Sequence, residues 1–321
     1  MIKAGIIGAA GYTGGELIRI LLQHPKVEID FCYSRSQNGK PVCEVHTDLS
    51  GDTELKFTHE INPGIDVLFL CLPHGEARSF LDKNAISTDI KIIDLSNDFR
   101  LKNQSADFVY GLPELNRKSI KQAKNIANPG CFATSIQLGL LPLANKNLLN
   151  AAIHISGITG STGAGVALSE TSHFTWRNDN ISVYKAFTHQ HLNEIKQSLS
   201  QLQDSFNHPI HFIPYRGDFT RGIITTIYTD FAGTLEEAVN LYQSYYKDEP
   251  FTLLSSANIH LKQVVNTNKC LLYLEKHDDK LMIISIIDNL LKGASGQAVQ
   301  NMNLLFGLDE TEGLKLKPIA Y

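Results

Sequence analysis

Short apolar runs and amphipathic stretches alternate along the first part of the chain. "IKAGIIG" predicts a strand that ends at a glycine, and "GYTGGELIRILLQHP" predicts a glycine-rich turn followed by an amphipathic helix. Three further runs predict strands, of which the last two are almost wholly apolar: "VEIDFCYS", "IDVLFLCLP" and "IKIIDLS". Strands that alternate with helices indicate a parallel sheet of the α/β class, so we predict a Rossmann-type domain over residues 1–130.

After residue 131 the pattern changes to longer strands that are rich in β-branched residues. "HPIHFIPY" and "GIITTIYTDF" predict two such strands, and "CLLYLEKHDDKLMIISII" predicts an antiparallel hairpin. Thr234 and Glu237 predict a capping box at the start of a helix. Residues 131–290 therefore predict an α+β substrate and oligomerisation domain with a mostly antiparallel sheet.

The last predicted element is a helix in "GASGQAVQNMNLLFG". Gly307 is expected to end it. Its predicted apolar side is formed by Ala294, Ala298, Val299, Met302 and Leu305.

Composition and charge exclude several classes of function. The net charge of −4, without a long basic block, argues against nucleic acid as the main partner. The apolar runs are far shorter than the roughly 20 residues of a membrane span, and "MIKAGIIGAAG" has no signal-peptide pattern. Five scattered cysteines without a CxxC argue against a disulfide framework and a zinc ribbon. We expect a cytoplasmic protein without a bound metal ion.

Three glycines between the first strand and the first helix suggest a dinucleotide site. Gly8, Gly11 and Gly14 form G-x-x-G-x-x-G, which allows a tight turn and close approach of backbone N–H groups to a pyrophosphate. Tyr12 and Thr13 lie in the same turn and are included in the predicted site. The alternative is a glycine-rich turn without a ligand, but the order strand, turn and helix favours a dinucleotide.

The end of the second strand favours NADP over NAD. Ser34, Arg35 and Ser36 stand where an acid would select NAD, and a guanidinium makes charge-assisted bonds to a 2′-phosphate. Pro73, in "LPHGEA" after the next buried strand, is expected near the far side of the cofactor. The alternative for Arg35 is an ordinary exposed loop residue.

Cys131 is the candidate nucleophile. In "NPGCFATS", Pro129 and Gly130 form a turn, and a helix is predicted from about Thr134, so that Cys131 lies at or near its N-terminus. Helix dipoles favour a thiolate there, and the same N–H groups can stabilise an oxyanion. The alternative is a small buried residue, the ordinary role of a free cysteine.

A proton donor and anion-binding groups complete the predicted site. "FTHQHLNEI" offers His189 and His191 as acid or base, with Glu194 to orient one of them. Half of a metal site and two surface histidines are the alternatives. A thiolate beside a nicotinamide suggests reduction of an acyl group through a thioester. An anionic leaving group such as phosphate would need cations, for which the candidates are Arg100, Arg216 and Arg221.

These motifs resemble the N-acetyl-γ-glutamyl-phosphate reductase family of arginine biosynthesis. The resemblance extends over nearly the whole chain through "GAAGYTGGEL", "SRSQNGK", "IIDLSNDFRL", "YGLPELNR", "NPGCFATS", "FTHQHLNEI" and "IDNLLKGASGQAVQNMNLLFGLDETEGL". It implies NADPH as cofactor, Cys131 as nucleophile, and the acid/base role on His189 or His191. It also implies a fold like that of the semialdehyde dehydrogenases, a C-terminal segment 291–321 that returns to the first domain, and a homodimer or homotetramer.

Some residues differ from the pattern of the family. "SGITGSTGAGVALSE" lacks a basic pair that is usual there, Gln190 replaces a common Arg, and Arg216 precedes Arg221 in "YRGDFTRG". An N-succinyl or other N-acyl glutamyl phosphate is therefore an alternative substrate. An enzyme like aspartate-semialdehyde dehydrogenase would also fit these motifs, and so would a non-catalytic NADP sensor.

Overall fold

The structure is a computed structural model that describes residues 1–105 and 107–319. Residues 106, 320 and 321, which fall within the predicted domain ranges, lie outside the described residues. The chain forms two compact units. The first is Met1–Gly130 with Ala294–Lys315, and the second is Cys131–Gly293 with the C-terminal residues from Leu316.

The elements of the described residues are numbered along the chain. The strands are β1 (Ile2–Ile7), β2 (Val27–Tyr33), β3 (Phe57–Thr58), β4 (Val67–Leu70), β5 (Lys91–Asp94), β6 (Phe108–Tyr110), β7 (Asn125–Ala127), β8 (Ile153–Thr159), β9 (Ser182–Val183), β10 (Ile210–Arg216), β11 (Ile223–Asp230), β12 (Thr252–Leu254), β13 (Cys270–His277) and β14 (Lys280–Ile287). The helices are α1 (Tyr12–Leu22), α2 (Val42–Val45), α3 (Ala77–Lys83), α4 (Pro113–Gln122), α5 (Cys131–Ala144), α6 (Phe174–Arg177), α7 (His191–Leu202), α8 (Leu235–Tyr245) and α9 (Ser295–Leu305).

The first unit contains a parallel sheet of the Rossmann type. Its order among the described residues is β3-β2-β1-β4-β5-β7-β6, and every neighbouring pair is parallel. The chain runs outward from β1 to β2 and β3 on one side, and then resumes at β4 on the other side. The order therefore reverses between β1 and β4, where open α/β sheets bind ligands at the carboxyl ends of their strands.

Helix α9 differs from its prediction. It belongs to the first unit and packs against α1 and α4. It is buried on every side rather than on one apolar side, and Gln297, Gln300, Asn301 and Asn303 are fully buried within it. Ala294, predicted on the apolar side of the helix, precedes the first helical residue. The prediction of one apolar side failed because periodicity treats polar residues as solvated, whereas these polar residues are buried with hydrogen-bond partners.

The second unit contains a mixed sheet that is mostly antiparallel. Its order among the described residues is β12-β13-β14-β11-β8-β10-β9, and only the β8–β10 and β12–β13 pairs are parallel. The predicted hairpin is confirmed in β13 and β14, and the predicted capping box of α8 is confirmed at Thr234 and Glu237. Helix α5 packs on β11 and β14. The predicted fold class, a Rossmann-type sheet plus a mostly antiparallel α+β unit, is confirmed.

Within the described residues, none of the helices has both the length and the apolar character needed to span a membrane.

Candidate active site

The glycine turn of the first unit is shaped by two of its three glycines. Gly8 has a φ of +77°, and a Cβ there would lie 2.4 Å from the carbonyl oxygen of Cys71. A Cβ at Gly14 would lie 2.6 Å from the carbonyl oxygen of Ala9. Packing therefore excludes a side chain at both positions whether or not a ligand binds, and the positive φ of Gly8 also favours glycine there.

Gly11 is different, because the protein itself leaves room for a side chain there. Its Cβ would meet only the carbonyl oxygen of Gly8, at the ordinary distance of 3.6 Å. Gly11 is the N-cap residue of α1 and has no side chain to cap the helix. The room at Gly11 would let a pyrophosphate approach the N–H groups at the start of α1, where the helix dipole is positive.

Tyr12, Thr13 and Pro73 have different surroundings. Tyr12 begins α1 and is 43% exposed, and Pro73 is exposed after β4. Thr13 faces the protein instead: its carbonyl oxygen accepts a hydrogen bond of 2.8 Å from Ser295 Oγ, and its hydroxyl interacts with Cys71. Burial raises the pKa of the Cys71 thiol to about 12, so this cysteine stays protonated.

The end of β2 presents the predicted ribose-binding residues. The Arg35 guanidinium is exposed, and its Nε donates a hydrogen bond of 3.3 Å to Tyr33 Oη. The hydroxyl oxygens of Ser34 and Ser36 lie 3.5 Å apart. Gly8 N and Ala9 N both donate to the Tyr33 carbonyl oxygen, so the glycine turn and the end of β2 are held together.

Sequence reasoning missed His46, which supports the glycine turn from outside. Its Nε2 lies 2.8 Å from the carbonyl oxygen of Ala9. Its ring occupies the space of a side chain at Gly15, where a Cβ would lie 2.5 Å from His46 Nδ1. A histidine in a segment without periodicity gave no signal of this contact.

Asn128, the first residue of "NPGC", is fixed by hydrogen bonds within the first unit. Its N–H donates to the carbonyl oxygen of Asp94 at 2.8 Å, and its carbonyl oxygen accepts a bond of 2.9 Å from Arg100 Nε. Its side chain donates to the carbonyl oxygen of Ala294 at 3.0 Å and accepts from Asn301 Nδ2 at 3.1 Å. The turn that leads to the cysteine is thus held in one conformation.

Arg100 was predicted to bind substrate, and the structure places it beneath this turn. It is 4% exposed, and its Nη2 donates to the carbonyl oxygen of Leu95 at 2.9 Å. Together with the bond to Asn128, these contacts show that it supports the backbone. Substrate binding by Arg100 stays a prediction.

Cys131 is the first residue of α5, three residues earlier than the predicted start of the helix. It is partly exposed, whereas all other residues of α5 are buried. A Cβ at Gly293 would lie 2.6 Å from the carbonyl oxygen of Asn289 and 2.8 Å from Cys131 Cβ, so glycine leaves room for both the backbone and the cysteine. Cys131 combines partial exposure with a helix N-terminus, which is the environment of a reactive thiol.

His189 and His191 form a buried pair beside the residue that follows Cys131. Both are 5% exposed, and their ring centroids lie 4.5 Å apart. The ring of His189 packs edge-on against Phe132 at 5.7 Å. His191 Nε2 lies 3.9 Å from Glu194 Oε1, which is the distance of a charge interaction rather than a hydrogen bond. The alternative of two surface histidines is wrong for this structure.

No group of three or more His, Cys, Asp or Glu side chains among the described residues could hold a metal ion.

Arg216 and Arg221 have different partners in the second unit. The Arg216 guanidinium lies 4.8 Å above the ring of Tyr184. Burial raises the pKa of Tyr184 to about 12; Cys131 adds to this change, and Arg216 opposes it. Arg221 forms an ion pair of 3.0 Å with the fully buried Asp288. Tyr184, Asp288 and Gly293 were not predicted, because each acts only through residues distant in sequence.

Comparison with known proteins tests the resemblance. Residues 3–123 match the model described as "Semialdehyde dehydrogenase, NAD binding domain", and residues 131–289 match "Semialdehyde dehydrogenase, dimerisation domain". A protein of Flavobacterium johnsoniae is 60% identical over 325 residues, and one of Phocaeicola vulgatus is 61% identical over 322 residues. Both alignments cover 100% of each chain, and both proteins are named N-acetyl-gamma-glutamyl-phosphate reductase. The chain belongs to the N-acetyl-gamma-glutamyl-phosphate reductase family.

Solved structures agree with this family at the level of fold. Aspartate semialdehyde dehydrogenase II of Vibrio cholerae, complexed with ASA, has a TM-score of 0.74 at 14% identity, covering 96% of this chain and 98% of that chain. Aspartate semialdehyde dehydrogenase of Candida albicans, solved with NADP, has a TM-score of 0.70 at 15% identity, covering 95% and 98%. Both likenesses concern the fold alone.

Membership of the N-acetyl-gamma-glutamyl-phosphate reductase family confirms several predictions made from the sequence. The predicted resemblance, the oxidoreductase class and the semialdehyde dehydrogenase-like fold are confirmed. The predicted cofactor, NADP, is confirmed at the level of the family, whose reductases use NADPH. The dimerisation domain supports an oligomer, and a small-molecule substrate is consistent with the family.

Proposed function

We propose that this chain reduces N-acetyl-γ-glutamyl phosphate to N-acetyl-glutamate 5-semialdehyde with NADPH, a step of arginine biosynthesis. The observation that carries the proposal is a partly exposed Cys131 at the start of α5, whose neighbour Phe132 packs against His189 of a buried histidine pair. A thiolate nucleophile and an acid/base group are what acyl transfer through a thioester requires.

The proposed reaction gives a role to each candidate catalytic residue of the second unit. The Cys131 thiolate attacks the acyl carbon, and the bond to phosphate breaks as phosphate leaves with the electron pair. The N–H groups at the start of α5 stabilise the oxyanion that forms. NADPH, when bound, supplies the hydride that reduces the carbonyl carbon of the thioester. His189 or His191 donates a proton to the oxygen and takes it back as the C–S bond breaks, and Glu194 supports the charge.

We assign cofactor binding to the first unit. Gly8, Gly11, Tyr12, Thr13 and Gly14 would hold the pyrophosphate, and Ser34, Arg35, Ser36 and Pro73 would contact the rest of the cofactor. We assign residues 1–130 and the C-terminal segment 291–321 to the NADP domain, and residues 131–290 to the catalytic and oligomerisation domain. Of the C-terminal segment, Ala294–Lys315 belongs to the first compact unit, and the residues on either side of it belong to the second. Arg216, Arg221 and Arg100 are the candidates for contact with the anionic groups of the substrate.

We infer a cytoplasmic homodimer or homotetramer that binds neither nucleic acid nor membranes. The net charge of −4 supports the absence of nucleic-acid binding, and the match with a dimerisation domain supports the oligomer. The sheet face opposite α5 carries the partly exposed apolar side chains of Ile213, Met282 and Tyr228, which a second copy of the chain would cover.

The reverse reaction tests the function. The protein is mixed with NADP, phosphate and N-acetyl-glutamate semialdehyde, and the absorbance of reduced cofactor is followed. We expect phosphate-dependent reduction of NADP that disappears in Cys131→Ala and persists in Cys43→Ala, because Cys43 is the other partly exposed cysteine. Equal turnover in Cys131→Ala would contradict the mechanism.

Two further aldehydes distinguish the competing functions. A clear preference for N-succinyl-glutamate semialdehyde would transfer the proposal to that acyl group, and a preference for aspartate semialdehyde would transfer it to that enzyme class. Cofactor binding without turnover of any of the three aldehydes would favour the NADP sensor.

A further inference from the structure

Arg177 connects several turns of the second unit, although no motif singled it out. Arg177 is the last residue of α6 and is 7% exposed. Its Nη1 donates to the carbonyl oxygen of Arg216 at 2.8 Å, and its Nη2 donates to the carbonyl oxygen of Thr171 at 3.1 Å and to Ser182 Oγ at 3.4 Å. One guanidinium thus joins the segment 171–182 to the last residue of β10.

A second set of contacts joins the same two parts of the chain. Ser182 and Val183 form β9, which pairs antiparallel with Arg216 and Tyr215. Asp179 N donates to Asp218 Oδ2 at 2.8 Å, just beyond β10. The backbone of Arg216 is therefore held on its carbonyl side by Arg177 and along its edge by β9.

The side chain of Arg216 depends on this arrangement. Its guanidinium lies over Tyr184, the residue directly after β9, and the ring of Tyr184 contacts that of His189 at 5.8 Å between centroids. Arg216 Nε is buried and has no hydrogen-bond acceptor among the described residues, although the guanidinium also interacts with the Tyr184 hydroxyl. Arg177 Nε is likewise buried without an acceptor among the described residues. A buried donor without an acceptor is costly unless a ligand supplies one, and an anionic oxygen is the acceptor that suits a guanidinium.

Arg177 and Arg216 also form a concentration of positive charge. Desolvation, followed by the charge of Arg216, lowers the pKa of Arg177, while Asp218 opposes this change. Asp218 balances part of this charge, and the remaining positive charge favours an anionic group of the proposed substrate, which carries both a carboxylate and a phosphate.

We propose that Arg177 is a positioning residue, which holds the backbone of Arg216 so that its guanidinium binds an anionic group of the substrate. This inference rests on the proposed function, since it concerns the same substrate. Arg177 touches no reacting atom in this role. Its contribution is to reduce the freedom that Arg216 would otherwise lose on binding.

Kinetics of the reverse reaction test the proposal with Arg177→Lys. A lysine keeps the charge but cannot reach the separate acceptors of a guanidinium. We expect the KM for the semialdehyde, which carries the carboxylate, or the KM for phosphate to rise about tenfold. We expect kcat and the KM for NADP to change less than about twofold. The substrate whose KM rises identifies the anionic group that Arg216 binds.

Arg78→Lys is the matched control. Arg78 of the first unit likewise donates to two carbonyl oxygens, those of Asp98 and Gln104, and lies over the ring of Phe99. The Arg78→Lys substitution should leave the KM values for the semialdehyde and for phosphate unchanged. In an Arg216→Lys background, Arg177→Lys should add little, because the group it positions is already gone. Additive effects, or unchanged KM values in Arg177→Lys, would overturn the proposal.

A measurement without turnover separates this inference from the function itself. Cys131 is alkylated with iodoacetate and with iodoacetamide, and the peptide that contains it is quantified by mass spectrometry. A positioned Arg216 should favour the anionic reagent, and Arg177→Lys should lower the ratio of the two rates severalfold. An equal ratio in the wild type and in Arg177→Lys would refute the positioning role. A lowered ratio in Arg177→Lys, together with a wild-type protein that does not turn over the semialdehyde, would refute only the proposed substrate.

Discussion

At the scale of single residues, the chemistry of this chain depends on how differently similar side chains are placed. Burial raises the pKa of the Cys32 and Cys71 thiols to about 12, which keeps them inert, whereas Cys131 is partly exposed at a helix N-terminus. Arg35 is exposed, Arg100 supports a turn, and Arg221 pairs with a buried carboxylate. Residue type alone distinguishes none of these roles.

Arg35 should determine the choice of cofactor. Arg35→Ala removes the guanidinium expected to bind the 2′-phosphate, so the KM for NADPH should rise about tenfold or more while the KM for NADH stays nearly constant. Steady-state kinetics with both cofactors measure the change. Arg19→Ala, which removes a helical arginine paired with Glu16, is the control. An unaltered preference for NADPH in Arg35→Ala would contradict the assignment.

Asp94 should make stability depend on pH. Burial raises its pKa from 3.8 to about 7, against the opposing hydrogen bonds of Ser96 and the charge of Arg100. Between these values the folded chain holds a proton that the unfolded chain has lost, so the stabilisation present below about pH 4 decreases as the pH rises through about 7.

Asp94→Asn removes this titration. Between pH 5 and pH 8 the free energy of unfolding should fall by about 3 kcal/mol less in the variant than in the wild type. Urea unfolding followed by circular dichroism at several pH values measures it. Parallel pH profiles for the two proteins would show that the carboxyl is already ionised at pH 5.

At the scale of elements, α9 shows how a helix can be buried without being apolar. Asn301 Nδ2 donates to the carbonyl oxygen of Gly111 at 2.8 Å and to Asn128 Oδ1 at 3.1 Å. Asn303 Oδ1 lies 3.0 Å from His24 Nε2. The helix thus supplies hydrogen-bond partners to the turn before Cys131 and to the end of α1, which an apolar helix could not do.

Asn301→Leu should therefore be strongly destabilising although it makes the helix more apolar. It leaves a buried carbonyl oxygen and a buried amide without their partner, at a cost of about 2–3 kcal/mol. Chemical denaturation of the variant measures the cost. Asn240→Leu, at an exposed position of α8, should change stability by less than about 0.5 kcal/mol. Similar small effects of the two substitutions would contradict this account of α9.

At the scale of the whole molecule, each unit has its own sheet and its own task. The first has the reversal of strand order that binds ligands in open α/β sheets, and the second has one sheet face covered by α5. On the other face, Tyr228 is 44% exposed and stacks on His154, with ring centroids 4.8 Å apart. A face of this composition within a dimerisation domain favours association of copies.

Sedimentation equilibrium should therefore give at least twice the chain mass of 35.6 kDa. Tyr228→Glu places a charge on the face that a second copy would cover, so the mass should fall toward that of one chain. Leu235→Glu, at an exposed position at the start of α8, is the control and should leave the mass unchanged. A monomer in the wild-type protein would contradict the proposed oligomer.

The sequence by itself determined the features that depend on neighbouring residues. Strand and helix periods, the capping box at Thr234 and the hairpin of β13 and β14 are local, because backbone and nearby side chains decide them. The glycine turn and "NPGC" were recognisable for the same reason. The family followed from many such local motifs in one order.

The tertiary structure decided what depends on distant residues. It buried the polar residues of α9, placed His189 and His191 in the interior, and required glycine at position 293 beside Cys131. It also joined Arg177 to Arg216, 39 positions further along the chain. Burial and pairing of this kind arise when separate elements pack together, and a linear pattern contains no measure of the space or the partners that packing provides.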